Sequence, residues 1–280
     1  MFNSIQQRLS SSERLLGLFR KGFTVMDLAE PLLSLDISAT RSEARALMSG
    51  EEIAHLGVRQ NGRVVGYMKI DDLLGDGDLS RFREFTSSEL LDDTAGMNSV
   101  LDCLAQRDTA FVKILGVVSC VVRRRDLEKP PMRMWLYGII SLVEMNVTWA
   151  VQELYPEDAW IRITAPKRVE KAQILQDERK RRGLCADLFS CLQFSDKLRI
   201  LIKEAQYREF LPIKSRKEGE KLIKGLEALR NNIAHGQPIV DDNWDAITTL
   251  SESIEQIVSA KNVRELIQRT KKNIEPRNLS

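Results

Sequence analysis

The sequence is poor in the residues that build metal sites and disulfide frameworks. Its 280 residues include four cysteines and two histidines. No two cysteines have the C-x-x-C spacing of structural zinc sites, so we expect no bound metal. The cysteines also lack the spacing of a disulfide framework, which favours a reducing compartment over secretion.

Long uninterrupted hydrophobic runs are also missing. Residues 1–19 carry charges throughout and contain no apolar run of signal-peptide length. The most apolar stretch, residues 134–151, is interrupted by Gly138, Glu144 and Asn146, and it is shorter than the roughly 20 residues that span a bilayer. We therefore expect a cytoplasmic protein without a membrane segment, in which this stretch is a buried core helix or a dimer helix.

An excess of charge of one sign is absent from the whole chain but not from its halves. The chain has 42 basic and 40 acidic side chains, and its 43% hydrophobic and 29% charged residues are typical of globular domains. Residues 1–129 hold 17 basic and 19 acidic side chains, which leaves 25 and 21 for residues 130–280. A polyanion would therefore prefer the second half.

The first half contains an internal repeat. At an offset of 54 residues, residues 58–73 align with residues 112–127 without a gap, and the same offset aligns Lys69 with Arg123. In each copy an amphipathic helix precedes two valine-rich runs joined by a glycine turn, and an Asp-Leu pair then opens another helix. The identical pairs are Val58/Val112, Gly62/Gly116, Val64/Val118, Asp72/Asp126 and Leu73/Leu127.

This repeated pattern resembles the cystathionine-beta-synthase-like (CBS) domain, which occurs as tandem pairs. The resemblance covers about residues 22–128 and implies two βαββα units around a pseudo-two-fold axis, with clefts that bind an adenine nucleotide as a regulatory ligand. The family's ribose-binding aspartate corresponds to Asp72 and Asp126. The family's phosphate-binding Thr or Ser, three residues earlier, is replaced by Lys69 and Arg123, which could still meet a phosphate.

Two alternatives stay open for these residues. The aspartates could serve only as helix caps, and the basic run that includes Arg123 could be an ordinary solvated surface. In addition, Gly66 of the first copy is replaced by Cys120 in the second, so the two clefts need not be equivalent.

A helical region follows the repeat. Pro130 and Pro131 mark the boundary, and helical patterns dominate after them, except for a possible strand or extended connection at residues 159–164. These patterns cover residues 132–154, 166–182, 184–205, 215–235 and 242–272. We predict an α+β chain with a helical segment at 1–21, a CBS-like pair at 22–129 and an all-α bundle of four or five helices at 130–280.

The sequence RNNIAHG at residues 230–236 resembles the R-x4-6-H signature of HEPN domains. This all-helical superfamily is named for higher eukaryotes and prokaryotes nucleotide-binding, and many members are metal-independent ribonucleases that act as dimers. The resemblance assigns the catalytic roles to Arg230 and His235, with Asn231 as the accompanying polar residue. On a helical wheel, Asn231 and His235 point away from the core, whereas Arg230 falls inside the broader apolar face.

The chemistry of these side chains fits RNA cleavage by the neighbouring 2′-hydroxyl. Histidine exchanges protons near neutral pH, and arginine can stabilise the phosphorane charge. We therefore expect a homodimeric, nucleotide-regulated, metal-independent endoribonuclease. The alternative is a non-enzymatic CBS-containing regulatory protein whose helical domain binds RNA or a protein partner, with Arg230 at the core edge and His235 as a helix cap.

Overall fold

The structure, a computed structural model, describes residues 13–211 and 213–274. The chain divides into two compact units: Arg20–Arg133, here called the repeat unit, and the residues up to Phe19 together with those from Met134 onward, here called the helical unit. Helices combine with two small sheets of mixed strand direction, so the expected mixture of α and β structure is confirmed. Of the predicted N-terminal helical segment, residues 1–12 lie outside the described residues and residues 13–22 form helix α1.

The repeat unit contains two copies of one strand-helix-strand-strand order. Two short strands, β1 (Glu30–Pro31) and β5 (Arg83–Glu84), precede the copies. The first copy has β2 (Ser34–Asp36), α2 (Arg41–Gly50), β3 (His55–Gln60) and β4 (Arg63–Lys69). The second has β6 (Leu90–Asp92), α3 (Met97–Gln106), β7 (Thr109–Ile114) and β8 (Val117–Arg123). The two hairpins therefore start and end at positions related by the offset of the sequence repeat.

The last element of each copy differs from the predicted helix. The Asp-Leu segments form short 3-10 helices, Ile70–Leu73 and Arg124–Glu128, rather than α helices. In the first copy, Gly75 and Gly77 follow with positive φ values of 78° and 129°, which a helix cannot include. In the second copy, Pro130 follows and becomes the first residue of the next helix, a position that suits proline because no backbone N–H is needed there.

Turn chemistry fixes both hairpins. In the first turn, Asn61 and Gly62 have φ values of 52° and 75°, and in the second, Leu115 and Gly116 have φ values of 51° and 80°. Two consecutive residues with positive φ form the turn that matches the twist of two-residue hairpins. A leucine does not favour positive φ, and the side chain of Leu115 is 95% exposed and adds no packing. The second turn therefore depends on Gly116 and on the strands beside it.

The two copies exchange edge strands. The sheet orders are β2-β3-β4-β5 and β6-β7-β8-β1, so the strand before each copy completes the sheet of the other copy. A shared core fills the space between the sheets, with Tyr67 from the first copy and Phe111, Val118 and Val121 from the second. Each sheet takes its edge strand from the segment that precedes the other copy, and the two copies share one core, so the repeat unit is one compact unit.

Gly66 lies in β4, opposite Glu84 of the antiparallel strand β5. A Cβ atom at this position would collide with the ring of Phe82 and with the backbone carbonyl oxygen of Arg83. The equivalent Cys120 pairs instead with Pro31 of β1 and carries its side chain in a buried position. The two sheets therefore differ at this place, because only the first has a close backbone approach that requires glycine.

We predict that Gly66→Ala lowers the free energy of unfolding by about 1–3 kcal/mol, because β5 must move away from the added methyl group. Urea denaturation of the full chain measures the change. Gly50→Ala is the control, since a Cβ at Gly50 meets nothing within 4 Å, and a surface change of this kind stays within about 0.5 kcal/mol. Equal stabilities of the two variants would contradict the close packing of β5.

The helical unit contains more and shorter helices than predicted. Seven helices follow the repeats in the described residues, where four or five were expected. They are α4 (Pro130–Leu154), α5 (Pro166–Arg181), α6 (Phe194–Leu201), α7 (Ala205–Phe210), α8 (Arg216–Ala234), α9 (Val240–Val258) and α10 (Ala260–Ile274).

Three sequence predictions in this region are wrong in detail. Residues 159–164 are not a strand: Ala159–Ile163 is a 3-10 helix, stabilised where Trp160 Nε1 donates to Asp158 Oδ1 over 2.9 Å. The helix predicted for 184–205 is limited to α6 and the first residue of α7, after a 3-10 turn at Phe189–Cys191. The helix predicted for 242–272 is divided at Ser259, whose extended backbone separates α9 from α10.

Helix α4 contains the apolar stretch noted in the sequence. Among the described residues it is the one helix long and apolar enough to cross a membrane, yet 61% of its most apolar 18-residue window is buried inside the protein. Such burial is typical of a core helix in a soluble protein. Three large apolar side chains of α4 stay outside this core: Met134, Tyr137 and Met145 are 62%, 50% and 44% exposed.

Candidate functional site

A cavity of about 710 Å³ lies in the repeat unit and receives residues from both copies. Its lining is Glu52, Ala54, His55, Tyr67, Lys69, Ile70, Asp71, Glu89, Arg107, Asp108, Thr109, Phe111, Arg123, Arg124 and Arg125. Cavities of about 300–1,000 Å³ are typical of small-molecule sites. We therefore regard this cavity as the candidate ligand site of the repeat unit.

Strand register explains why both copies contribute equivalent positions. Lys69 is paired with His55 across β3 and β4, and Arg123 is paired with Thr109 across β7 and β8. All four residues line the cavity. The two cations that the sequence predicted as phosphate contacts are thus brought to one cavity, with a partner from the adjacent strand beside each of them.

Aromatic side chains line the inner part of the cavity. Tyr67 lies two residues before Lys69 and Phe111 two residues after Thr109, so strand alternation places each on the same face as the cavity residue. The ring centroids of Tyr67 and Phe111 are 4.7 Å apart. Tyr67 Oη donates to Glu89 Oε1 over 3.0 Å, and burial, together with this carboxylate, raises the pKa of Tyr67 to about 12. Tyr67 is therefore a neutral hydrogen-bonded wall residue.

His55 is a neutral imidazole in this setting. Burial lowers its pKa to about 4, and the charges of Lys69 and Arg123 act in the same direction. Its ring packs edge-on against Phe111 at a centroid distance of 5.7 Å. Its Nδ1 atom is buried and has no hydrogen-bond partner in the described part of the chain. A polar atom of this kind beside a cavity is available to a ligand.

Asp72, the first of the two aspartates assigned to the ribose, does not line the cavity. It accepts a hydrogen bond from the backbone N–H of Lys69 over 2.9 Å and binds Arg83 through two bonds of 2.7 and 2.6 Å. The bond from Arg83 is the main reason why the pKa of Asp72 is lowered. Its oxygens are engaged in closing the 3-10 turn and in holding β5.

Asp126 has the equivalent role in the second copy. It is buried, accepts from the backbone N–H of Arg123 over 2.8 Å and forms an ion pair with Lys129 at 3.2 Å. The capping alternative therefore describes the contacts of both aspartates. For Asp72 or Asp126 to contact a ribose, one of these hydrogen bonds or ion pairs would have to break. The ribose contact stays a prediction.

Positive charge at the cavity is unevenly divided between the copies. The second copy contributes Arg107, Arg123, Arg124 and Arg125, whereas the first contributes only Lys69. Of these, Arg124 forms an ion pair with Asp108 at 3.2 Å. Strand alternation around Lys69 could have identified Tyr67, but nothing in the sequence alone indicated that Arg107 would lie at the cavity.

The motif of the helical unit lies at the end of α8. Arg230, Asn231 and His235 are all exposed. The buried side of α8 contains Ile223, Leu226 and Leu229. Arg230 follows Leu226 by four residues and Ile223 by seven, so it lies on the same side of the helix, yet its side chain is exposed. His235 is the C-cap residue, and its backbone N–H donates to the carbonyl oxygen of Asn231 over 2.9 Å.

Comparison with known proteins neither supports nor contradicts the resemblance to CBS and HEPN domains. No protein-family model matches the chain, and no curated protein gives a significant match. Among the described residues, no group of three or more His, Cys, Asp or Glu side chains could hold a metal ion. The cavity and the α8 motif are therefore the features of the chain that point to a function.

We predict that His55 makes the protein less stable at mildly acidic pH. Folded His55 takes up a proton only near pH 4, whereas its counterpart in the unfolded chain does so near pH 6.5. Between these values the unfolded state binds more protons, so stability falls as the pH decreases. His55→Phe keeps a ring in this aromatic group and removes the titration.

The measurement is the urea midpoint at pH 7 and pH 5. The stability of His55→Phe relative to the wild type should increase at the lower pH. His235→Gln, a change at the exposed second histidine, is the control and should follow the wild type. A His55→Phe protein with the wild-type pH dependence would show that His55 is not desolvated.

Proposed function

We propose that the protein is a nucleotide-regulated sensor-effector, in which the repeat unit is a CBS-like pair that binds an adenine nucleotide. The two strand-helix-strand-strand copies with exchanged edge strands support the CBS-like interpretation. The observation that carries the ligand assignment is the single cavity that contains both Lys69 and Arg123. These cations suit phosphate oxygens, and the aromatic group around Tyr67 and Phe111 suits a planar base.

A nucleotide in this cavity would find its charge neutralised without a metal. The side chains of Lys69 and Arg125 make no hydrogen bond or ion pair with any described residue, so both are available for phosphate oxygens. Neutral His55 adds a ring nitrogen that can donate or accept, depending on its tautomer. The cavity therefore offers separate groups for a phosphate and for a neutral polar atom of the ligand.

We predict that calorimetric titration of the full chain with AMP, ADP, ATP and cyclic nucleotides gives heat with at least one of them. Lys69→Ala should weaken this binding about tenfold or more, because a hydrogen bond to a charged group is lost. Arg63→Ala removes an exposed cation of the same strand that does not line the cavity, and should leave the affinity unchanged. A folded wild type that binds none of these nucleotides would leave the repeat pair as a scaffold.

A second activity, in the helical unit, is favoured by the exposure of its motif. We propose that this unit is a HEPN-like endoribonuclease, with His235 transferring the proton and Arg230 stabilising the phosphorane. Exposure of both side chains, and of Asn231 between them, leaves them open to a polymeric substrate. The basic excess of residues 130–280 favours the approach of RNA.

Within one chain, the side chains of Arg230 and His235 do not point to a common site. Arg230 and His235 are five positions apart on one helix, which corresponds to about 140° around the axis. Two copies related by a two-fold axis could bring the arginine of one chain to the histidine of the other. The exposed apolar side chains Met134, Tyr137 and Met145 fall on one side of α4 and support the proposed homodimer, because they offer a surface that a second copy could cover.

We predict that the full chain cleaves single-stranded RNA in EDTA and leaves 2′,3′-cyclic phosphate ends, when assayed with and without nucleotide. His235→Ala should slow cleavage by about 10²- to 10⁴-fold. Arg230→Lys should also be impaired, since a point charge does not replace the planar guanidinium. Asn231→Ala should lose about 1 kcal/mol of transition-state stabilisation, as expected for one hydrogen bond.

The exposure of all three residues means that these variants should melt like the wild type. Lys224→Ala, an exposed cation earlier on α8, is the control and should cleave normally. If folded His235→Ala cleaves RNA at the wild-type rate, the nuclease assignment of this motif is lost. The non-enzymatic alternative, a helical unit that binds RNA or a protein partner, would then remain.

Mixing two inactive variants tests the homodimer directly. Arg230→Ala and His235→Ala chains that exchange subunits form mixed dimers in which one intact arginine faces one intact histidine. We predict that the mixture recovers about a quarter of the wild-type cleavage rate, because half of the dimers are mixed and each has one complete site. No recovery, despite subunit exchange seen by mass spectrometry, would contradict a site shared between chains.

A further inference from the structure

Equivalent strand ends of the two copies meet at one cavity. His55 and Lys69 form the last cross-strand pair of the first hairpin, and Thr109 and Arg123 form the corresponding pair of the second. If each copy had a ligand site of its own, these equivalent pairs would line two separate cavities. Both pairs line the same cavity of about 710 Å³, a volume suited to one small-molecule ligand.

The charges on the two sides of this cavity are not equivalent. The first copy presents Lys69, Ile70 and Asp71 in succession, whereas the second presents Arg123, Arg124 and Arg125. Position 71 thus carries an acid where position 125 carries a base. A bound anion would therefore place most of its negative charge toward the second copy and still reach Lys69 of the first.

Several donors at the cavity are unused. The side chains of Lys69 and Arg125 form no hydrogen bond or ion pair with a described residue. Arg123 engages Asp126 through Nε at 3.3 Å, and no described residue accepts from its two terminal nitrogens. Arg107 Nε is buried without a hydrogen-bond partner in the described part of the chain. Buried donors without acceptors are costly, and phosphate oxygens are the acceptors that arginine binds best.

On the basis of the proposed nucleotide binding, we propose that the repeat unit holds one ligand per chain, bridging the two copies through a diphosphate group. Lys69 binds it from the first copy, and Arg123 and Arg125 bind it from the second. Asp72 and Asp126 do not contact this ligand, since both are engaged in the 3-10 turns. A ligand held in this way ties the two copies together.

Calorimetry on the full chain with ADP, AMP and inorganic pyrophosphate tests this arrangement. We expect one ADP per chain, tighter binding of ADP than of AMP, and competition between pyrophosphate and ADP for the same site. Lys69→Ala and Arg125→Ala should each weaken this one event about tenfold or more. Arg125 is exposed and has no described partner, so its substitution does not depend on the folding of a structural ion pair.

A reciprocal pair of substitutions gives the sharpest result. Arg125→Asp gives the second copy the residue of the first and should reduce ADP affinity further than Arg125→Ala. Asp71→Arg gives the first copy the residue of the second and should increase ADP affinity. Arg63→Ala, on the same strand as Lys69 but outside the cavity, should have no effect.

The outcomes separate this inference from the proposed function. Two ADP molecules per chain, or a variant that removes one of two binding events, would overturn the bridged ligand while keeping the nucleotide sensor. Equal affinities for AMP and ADP would overturn the diphosphate. Pyrophosphate binding without any nucleotide binding would keep the bridged anion and remove the nucleotide sensor. No binding of any of the three probes would remove both.

Discussion

The exchange of edge strands between the two copies is the constraint on which the repeat unit depends. Because β1 completes the second sheet and β5 completes the first, the copies cannot separate without exposing two sheet edges. The exchange also fixes which faces meet, and the core between the sheets contains Tyr67 from one copy and Phe111 from the other. The cavity next to that core follows directly, since Lys69 and Thr109 lie on the same strand faces as Tyr67 and Phe111 and line the cavity beyond these rings.

Electrostatics at this cavity follow from the same packing. The aromatic rings exclude water from His55, whose pKa falls to about 4, so the imidazole adds no charge to a region that already contains Lys69 and Arg123. Two of the four acids at the cavity are engaged: Glu89 accepts from Tyr67 and from Thr86, and Asp108 pairs with Arg124. Five cations line the cavity against these four acids, and this basic excess is why an anion is the ligand that the cavity suits best.

Local sequence signals account for a large part of the fold. The offset of 54 residues in the alignment is also the offset between His55 and Thr109 at the starts of the two hairpins. The capping box at Thr40 and Glu43, visible as a spacing, starts α2 with bonds of 3.2 and 2.8 Å. The capping box is encoded over four neighbouring residues, and the repeat is found by comparing the chain with itself, so a single sequence reveals both.

What the sequence did not reveal depends on contacts between distant segments. β1 and β5 are two residues long, too short to give a pattern, and they are defined only by the strands that they join. Arg230 is exposed although it follows Leu226 by four residues on the buried side of α8, so the helical wheel alone did not predict its exposure. Arg107 reaches the cavity through the packing of α3 on β7, and no local motif records that.

The strand exchange also has a consequence for the order of events on the ribosome. Glu30 of β1 pairs with Val121 of β8, so about 90 residues must be made before this strand has a partner. At about 5–20 residues per second, β1 stays unpaired for roughly 5–20 s during synthesis. The first sheet closes earlier, as soon as β5 emerges beside β4. The nascent chain thus has a complete first sheet while β1 is still unpaired. The two copies join only when the β7–β8 hairpin has been made.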